Sequence, residues 1–166
     1  MSTWQTLAHV TIDTLPADWR EQLAQRLGQR PRRIGAWAEL ALYGARQCLD
    51  AADEDVLPEG VQLRVASLHG PLTATAAITA QSRSGLPMPF SFMQSQPSQM
   101  LAALALQLGW RGDARFTVSR DAQALLQLAR LECGPQGVLI GWVEEDRRTE
   151  WMRLVPVRDD LNRCFD

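Results

Sequence analysis

The stretch MPFSFMQSQPSQMLAALALQLGWRGDARFTVSRDAQALLQLA, residues 88–129, decides how this chain is read. A proline-aromatic turn (Pro89, Phe90, Phe92) leads into an apolar helix that ends in Leu108, Gly109, Trp110, Arg111 and Gly112. Pro97 suits the first turn of that helix, where a missing N–H costs nothing, and Ser95 or Gln96 stands where a cap is needed. Met100, Leu101, Leu104 and Leu108 form one face, and Ala102, Ala103 and Ala105 fill much of the rest, a composition that predicts burial on most sides. A short strand over residues 114–119 then runs directly into a second apolar helix, residues 121–131, through the turn Ser119, Arg120, Asp121, Ala122, Gln123. A strand-to-helix turn of this kind suits a reactive thiol, because unpaired amides and the positive end of the helix dipole stabilise a thiolate. The residues at this turn, Asp121, Ala122 and Gln123 among them, include no thiol.

Working outward, residues 7–12 alternate as a strand ended by Leu15, Pro16, Ala17 and Asp18. Residues 18–27 form a short helix with Trp19, Leu23 and Leu27 on one side, stopped by Gly28. Ile34, Trp37, Ala38, Ala41, Leu42, Ala45 and Leu49 recur at three- and four-residue steps, which predicts a long helix over residues 34–52 with a buried face. Residues 61–67 alternate as a strand, residues 72–83 form a helix ended by Ser84 and Gly85, and residues 137–143 are apolar on both faces, as central strands are. Residues 151–157 give a last strand, whose Pro156 predicts an edge or terminal position. Strands alternating with helices predict a single α/β domain with a mixed, mostly parallel sheet flanked by helices.

With 166 residues, 46% apolar and 22% charged, the chain fits one domain with a real core, covering residues 1–166. A net charge of −2 gives no electrostatic footprint for nucleic acid. No apolar run approaches the roughly 20 residues of a membrane span, and residues 1–9 lack the features of a signal peptide, so a cytoplasmic location is expected. All 17 basic residues are arginine, which removes Schiff-base chemistry on lysine. Cys48, Cys133 and Cys164 lack the spacing of a disulfide framework or zinc site.

The order of elements, together with particular residues, resembles the N-terminal half of the thiolase-like condensing enzymes, in their ketosynthase-like branch. The matching stretches are Arg32 and Arg33 entering the long helix, the run Val65, Ala66, Ser67, Leu68, His69, Gly70, and residues 89–95, 108–112, 116–119 and 138–144. In that family the acyl-accepting cysteine occupies the position of Ala122, or of Asp121 if the match slips by one, and the two catalytic histidines are expected in a C-terminal half beyond the matched stretches. Cys133 lies at the far end of the same helix, where the dipole disfavours an anion. Among relatives without the cysteine are chain-length factors, and a chain of this size is similar to the shortened chain-length factors of aryl polyene pathways. The resemblance implies a non-catalytic subunit without cofactor or metal. It implies a heterodimer with a full-length ketosynthase, contact with an acyl carrier protein through that complex, and a share in shaping the acyl tunnel. It also implies that the strand over residues 114–119 pairs across the dimer axis.

Several residues then acquire two readings. Met88, Met93 and Met100, with Phe90 and Phe92, suit either an acyl tunnel or ordinary core packing. Phe116 and Val118, on the strand before the turn, are placed with Met93, Gln94, Gln96 and Met100 as tunnel or interface residues, while Gln94, Gln96, Gln99 and Gln123 equally suit capping or solvent. Asp121 reads more readily as a helix cap than as a functional carboxylate, and the Arg30, Pro31, Arg32, Arg33 run more readily as a solvated helix start than as a docking surface for an acidic carrier protein. Trp110 and Trp142 are expected to pack structurally and Trp4 and Trp151 to be peripheral. The competing functions are a stand-alone binding or regulatory homodimer, and an enzyme using Cys133 or His69, which nothing in the spacing brings together.

Overall fold

A computed structural model describes residues 4–85, 89–131, 134–145 and 148–157; Met88, Cys133 and Cys164 lie outside the described residues. The alternating segments form one five-stranded sheet from β1 (Trp4–Ile12), β2 (Gln62–Ser67), β3 (Ala114–Val118), β4 (Val138–Glu144) and β5 (Arg148–Pro156), in the order β1-β5-β4-β2-β3. β2 runs parallel to both β3 and β4, and β5 runs antiparallel to both β4 and β1. The sheet is therefore mixed, with its pairings divided evenly between the two senses. The helices are α1 (Trp19–Leu27), α2 (Ala36–Ala51), α3 (Leu72–Ser84), α4 (Pro89–Gln94), α5 (Pro97–Gln107) and α6 (Ala122–Leu131).

The period-two alternation sorts the core into two layers. Leu63, Val65, Leu139, Val143 and Trp151 face α2, together with α1 and α5, while Ala66, Val138, Ile140 and Leu154 face α6 through Leu125, Leu126 and Ala129. α2 is buried on nearly every side. Its Trp37 donates Nε1–H to the carbonyl of Val143 at 3.1 Å and sets its ring edge-on to Phe116 at 5.5 Å.

Trp151 is not peripheral; it is fully buried. One row of the α2-facing layer runs Phe116, Val65, Gly141, Trp151, Val10 across all five strands. A Cβ on Gly141 would lie 2.5 Å from the indole, and one on Gly44 of α2 would lie 2.4 Å from its Nε1. The indole thus fills a slot made by two missing side chains, and its N–H donates to Thr149 Oγ1 at 2.8 Å. β5 lies inside the sheet rather than at its edge, and Pro156 is accommodated because it ends the strand, opposite Trp4.

Three further expectations change. Residues 89–94 are not a turn but the helix α4, begun by Pro89 with its pre-set φ. Neither Ser95 nor Gln96 caps α5: the Ser95 hydroxyl donates to the Phe92 carbonyl and the Gln96 amide donates to Ser95 Oγ. Only Met100, Ala103 and Leu104 of α5 are buried, and Leu106 is 77% exposed, because no described element covers that side. Trp110 is buried, and Trp142 and Trp4 pack half-buried against the α6 side.

Buried arginines tie loops to strands. Arg153, 2% exposed, meets both carboxylate oxygens of Glu54 at 2.8 and 3.0 Å. Arg64, equally buried, reaches the Asp113 carboxylate at 2.6 Å and its carbonyl at 2.9 Å. Arg46 donates to Asp50 and to the carbonyls of Glu54 and Asp55. Desolvation pushes the Asp50 and Asp113 carboxyls upward, but hydrogen bonds from Arg26 and Arg46 and from Arg64 outweigh it, so both sit below the usual carboxylate range.

Trp151→Ala is expected to lower the unfolding free energy by about 3–5 kcal/mol, and Gly141→Ala by about 1–3 kcal/mol through overpacking, both read from urea denaturation midpoints. Because the folded carboxyl pKa values of Asp50 and Asp113 are depressed, the stability they supply is present above the unfolded value of about 3.9 and is lost as pH falls through the lower folded values. Asp113→Asn should therefore flatten the acid limb of a stability-versus-pH profile and leave its shape near pH 7 unchanged.

Candidate functional site

Open α/β sheets bind ligands beyond the carboxyl ends of their parallel strands. In this chain the ends of β2, β3 and β4 bring together residues 67–70, residues 119–123 and Glu144. The Ser119 N–H donates to the Ser67 carbonyl at 3.3 Å, which holds the exit of β3 against that of β2.

Glu144 closes the site from the β4 side. It is 4% exposed, and its carboxylate accepts the N–H of Leu68, the N–H of His69 at 3.1 Å and a contact from His69 Nδ1 at 3.1 Å. The Ser67 hydroxyl accepts the Gly70 N–H at 2.8 Å, so the turn after β2 is fastened at both ends. Glu144 was named in the sequence only as the end of a matching strand. An acid at the end of an otherwise apolar strand is the signal that pointed to it.

The strand-to-helix turn is closed by its own side chains. Ser119 Oγ donates to the Asp121 carbonyl at 3.0 Å and accepts the Asp121 N–H at 3.1 Å, and Asp121 Oδ1 accepts the Gln123 N–H at 2.8 Å. The cap reading of Asp121 matches this geometry: its carboxylate occupies the field that would otherwise stabilise an anion. Ala122, the first residue of α6, offers a methyl group. No described hydrogen bond joins Ser119 to a histidine or a carboxylate base.

The remaining named residues divide between surface and core. Met93 is half-exposed and Val118 is 70% exposed, whereas Met100 is 1% exposed and Phe116 is partly buried against Trp37. Gln94 packs against Gly35. Met93 and Gln94 line a cavity of about 200 Å³ with Arg33, Ile34, Gln99, Ala102, Ala103 and Leu106. Met100 lies below this surface, in the core cluster with Leu104 and Trp37.

Cys48 has no catalytic setting. Burial pushes its thiol up to about 12, only partly offset by Arg153, and its other charged neighbour is Glu54. No group of three or more His, Cys, Asp and Glu suited to a metal ion occurs among the described residues, and no described helix is long and apolar enough to cross a membrane. Iodoacetamide at pH 8 is expected to alkylate Cys48 only after denaturant is added, as checked by peptide mass mapping of the native and unfolded chain.

No known family profile matches the chain, and no curated protein matches it in sequence. Solved structures do match. A chain of the ketosynthase ApeO in complex with its chain length factor ApeC, from Xenorhabdus doucetiae, superposes with a TM-score of 0.60 at 14% identity, covering 93% of this chain and 78% of that one. A chain of the ishigamide ketosynthase/chain length factor superposes with a TM-score of 0.56 at 12% identity, covering 97% of this chain. The protein spans only 60% of that second chain's length. This likeness extends beyond residues 32–144, the span over which the sequence carries the resemblance, and what it establishes is the fold: a five-stranded mixed sheet with flanking helices, on the thiolase-like plan of ketosynthase and chain-length-factor subunits.

Proposed function

We propose that this chain is a non-catalytic, chain-length-factor-like subunit that pairs with an active ketosynthase, contacts an acyl carrier protein through that complex and helps to shape the acyl tunnel of a type II polyketide, aryl polyene-type, system. The fold it shares with chains of two such complexes supports this reading. The turn at Ala122 supports the non-catalytic part, since it holds no thiol and the amides of Asp121 and Gln123 are bonded within it.

The single observation that carries the pairing is the open edge of β3. Ser119 donates to β2 through its N–H, and Asp113 accepts the Leu63 N–H through its carbonyl. In a parallel ladder the backbone groups of one residue point to the same side and alternate along the strand, so Ala114, Phe116 and Val118 turn their N–H and C=O groups to the open edge. Such an edge templates a further strand. The surface continues across the contacts of β3 with α5, α5 with α4 and α4 with α3. Along it lie exposed Val118, Leu106, Met93, Phe92, Phe90 and Leu72, and α3 has no buried residue at all. Exposed apolar surface of this extent marks a partner, and obligate interfaces bury about 2,000 Å² or more.

Co-expressed with the ketosynthase encoded beside it, the chain is expected to co-elute as a stable complex on size exclusion at micromolar concentration. Val118→Pro removes an outward N–H without touching the β2 ladder; it should abolish co-elution while leaving the circular dichroism of the chain unchanged. Separate elution of the wild-type pair, or a stable homodimer that ignores the ketosynthase, would instead favour a stand-alone module, and acyl transfer by the chain alone would overturn the non-catalytic assignment.

A further inference from the structure

The segment joining α1 to α2 separates two cavities. One, of about 370 Å³, is lined by Gln29, Arg30, Pro31, Arg32 and Gln107. The other is the 200 Å³ cavity that includes Arg33, Met93, Ala102 and Leu106. Consecutive residues divide between them, Arg32 with Arg33 and Gln107 with Leu106, so the two lie side by side along the same loop and the same helix. Arg33 makes this possible: its φ of 65° is a left-handed conformation that costs a non-glycine residue energy, and such backbone persists where surroundings impose it. Pro31 is buried and fixes the loop from beneath.

What sets this segment apart is the clustering of its charges, three arginines within four residues. Every arginine of α1, α2, β2, β3 and β5 is ion-paired. Arg30, Arg32 and Arg33 are exposed, stand within four residues and have no ion-pair partner among the described residues. Three unneutralised guanidinium groups with no carboxylate beside them form a receptor for an anion, since their planar forks suit carboxylate and phosphate oxygens. The neighbouring cavity is apolar and adaptable, with a methionine and a leucine at its wall. On its own it falls below the about 300 Å³ at which small-molecule sites begin, and joined to the polar cavity it falls within their range.

We propose that residues 30–33 and the outer face of α5 form a two-part site for an amphiphilic anion, with its carboxylate or phosphate head held by Arg30 and Arg32 and its apolar chain laid along Met93, Ala102 and Leu106. The site is read on the unpaired chain, because Met93 and Leu106 also lie on the surface proposed above for pairing. It is tested by isothermal titration calorimetry of the purified full-length chain with decanoate, decyl phosphate, decyltrimethylammonium and inorganic phosphate. Decanoate and decyl phosphate are expected to bind, and the tighter of the two identifies the head as a free acid or a phosphate ester. Arg30→Gln with Arg32→Gln should weaken both at least about tenfold, the loss expected for one charge-assisted hydrogen bond, and Leu106→Glu should weaken them comparably. Both positions are exposed, so the fold is retained, as circular dichroism will check. No binding at millimolar concentration, equal binding of the cationic amphiphile, unchanged affinity in the arginine variant, or inorganic phosphate binding as tightly as decyl phosphate would each overturn the proposal.

Discussion

The indole of Trp151 sits in a slot that exists only because Gly44 on α2 and Gly141 on β4 face each other across it. Close packing leaves no slack at that point: a single methyl on either glycine would overlap the ring by more than an ångström relative to ordinary contact. The indole therefore sets how near α2 lies to the sheet, and with it the position of everything α2 carries. Trp37, two turns earlier on the same helix, is held to the Val143 carbonyl, so the helix is fixed along its length as well as in its distance. Val143 immediately precedes Glu144, and the grip of Glu144 on the turn after β2 is thereby referred back to the same packing.

A second constraint comes from charge. Arg64, Arg153 and Arg46 bring full positive charges into nearly dry surroundings, where an unpaired ion costs several kcal/mol, and each is answered by carboxylates or carbonyls of loops that would otherwise be free to move. Arg64 and Asp113 hold the loop leading into β3 against β2; Arg153 and Glu54 hold the loop after α2 against β5. These pairs position connections more than they deepen the core, because much of their Coulomb attraction is spent on desolvation. The edge strand β3 gains most: one flank is locked to β2, and the other is left presenting an unbent row of hydrogen-bonding groups.

Much of this was legible in the sequence wherever a pattern repeats. The three- and four-residue spacing of α2, the alternation of β2 and the glycine stops of α1 and α3 each state a local rule that the fold obeys, and the resemblance carried by short motifs led to the right fold. What was not legible depends on meetings between distant residues. Trp151 next to Pro156 looks like edge material, and only the coincidence of Gly44 and Gly141, nearly a hundred residues apart, makes it the centre. Residues 89–94 look like a turn because two aromatics follow a proline, yet a proline at a first helical position starts α4. The capping of α5 failed for a similar reason: Ser95 stands in the right place, but the end of α4 takes its hydroxyl first. At the candidate site, the absence of a thiol from residues 119–123 was plain from residue identity, while the role of Glu144 needed the parallel pairing of β2 with β4 to place it beneath His69.

The capped turn and the open edge are two consequences of one local arrangement. A reactive turn at the start of α6 would need its amides unclaimed, and unclaimed amides at a strand exit leave that exit loosely held. Here Ser119 and Asp121 take up the amides of Asp121 and Gln123, and the Ser119 N–H also bonds to β2, so the end of β3 is firmly held. Rigidity at that point fixes the register of β3 on β2. The bonds that close this turn on itself thus also strengthen the exit of β3 as a structural edge.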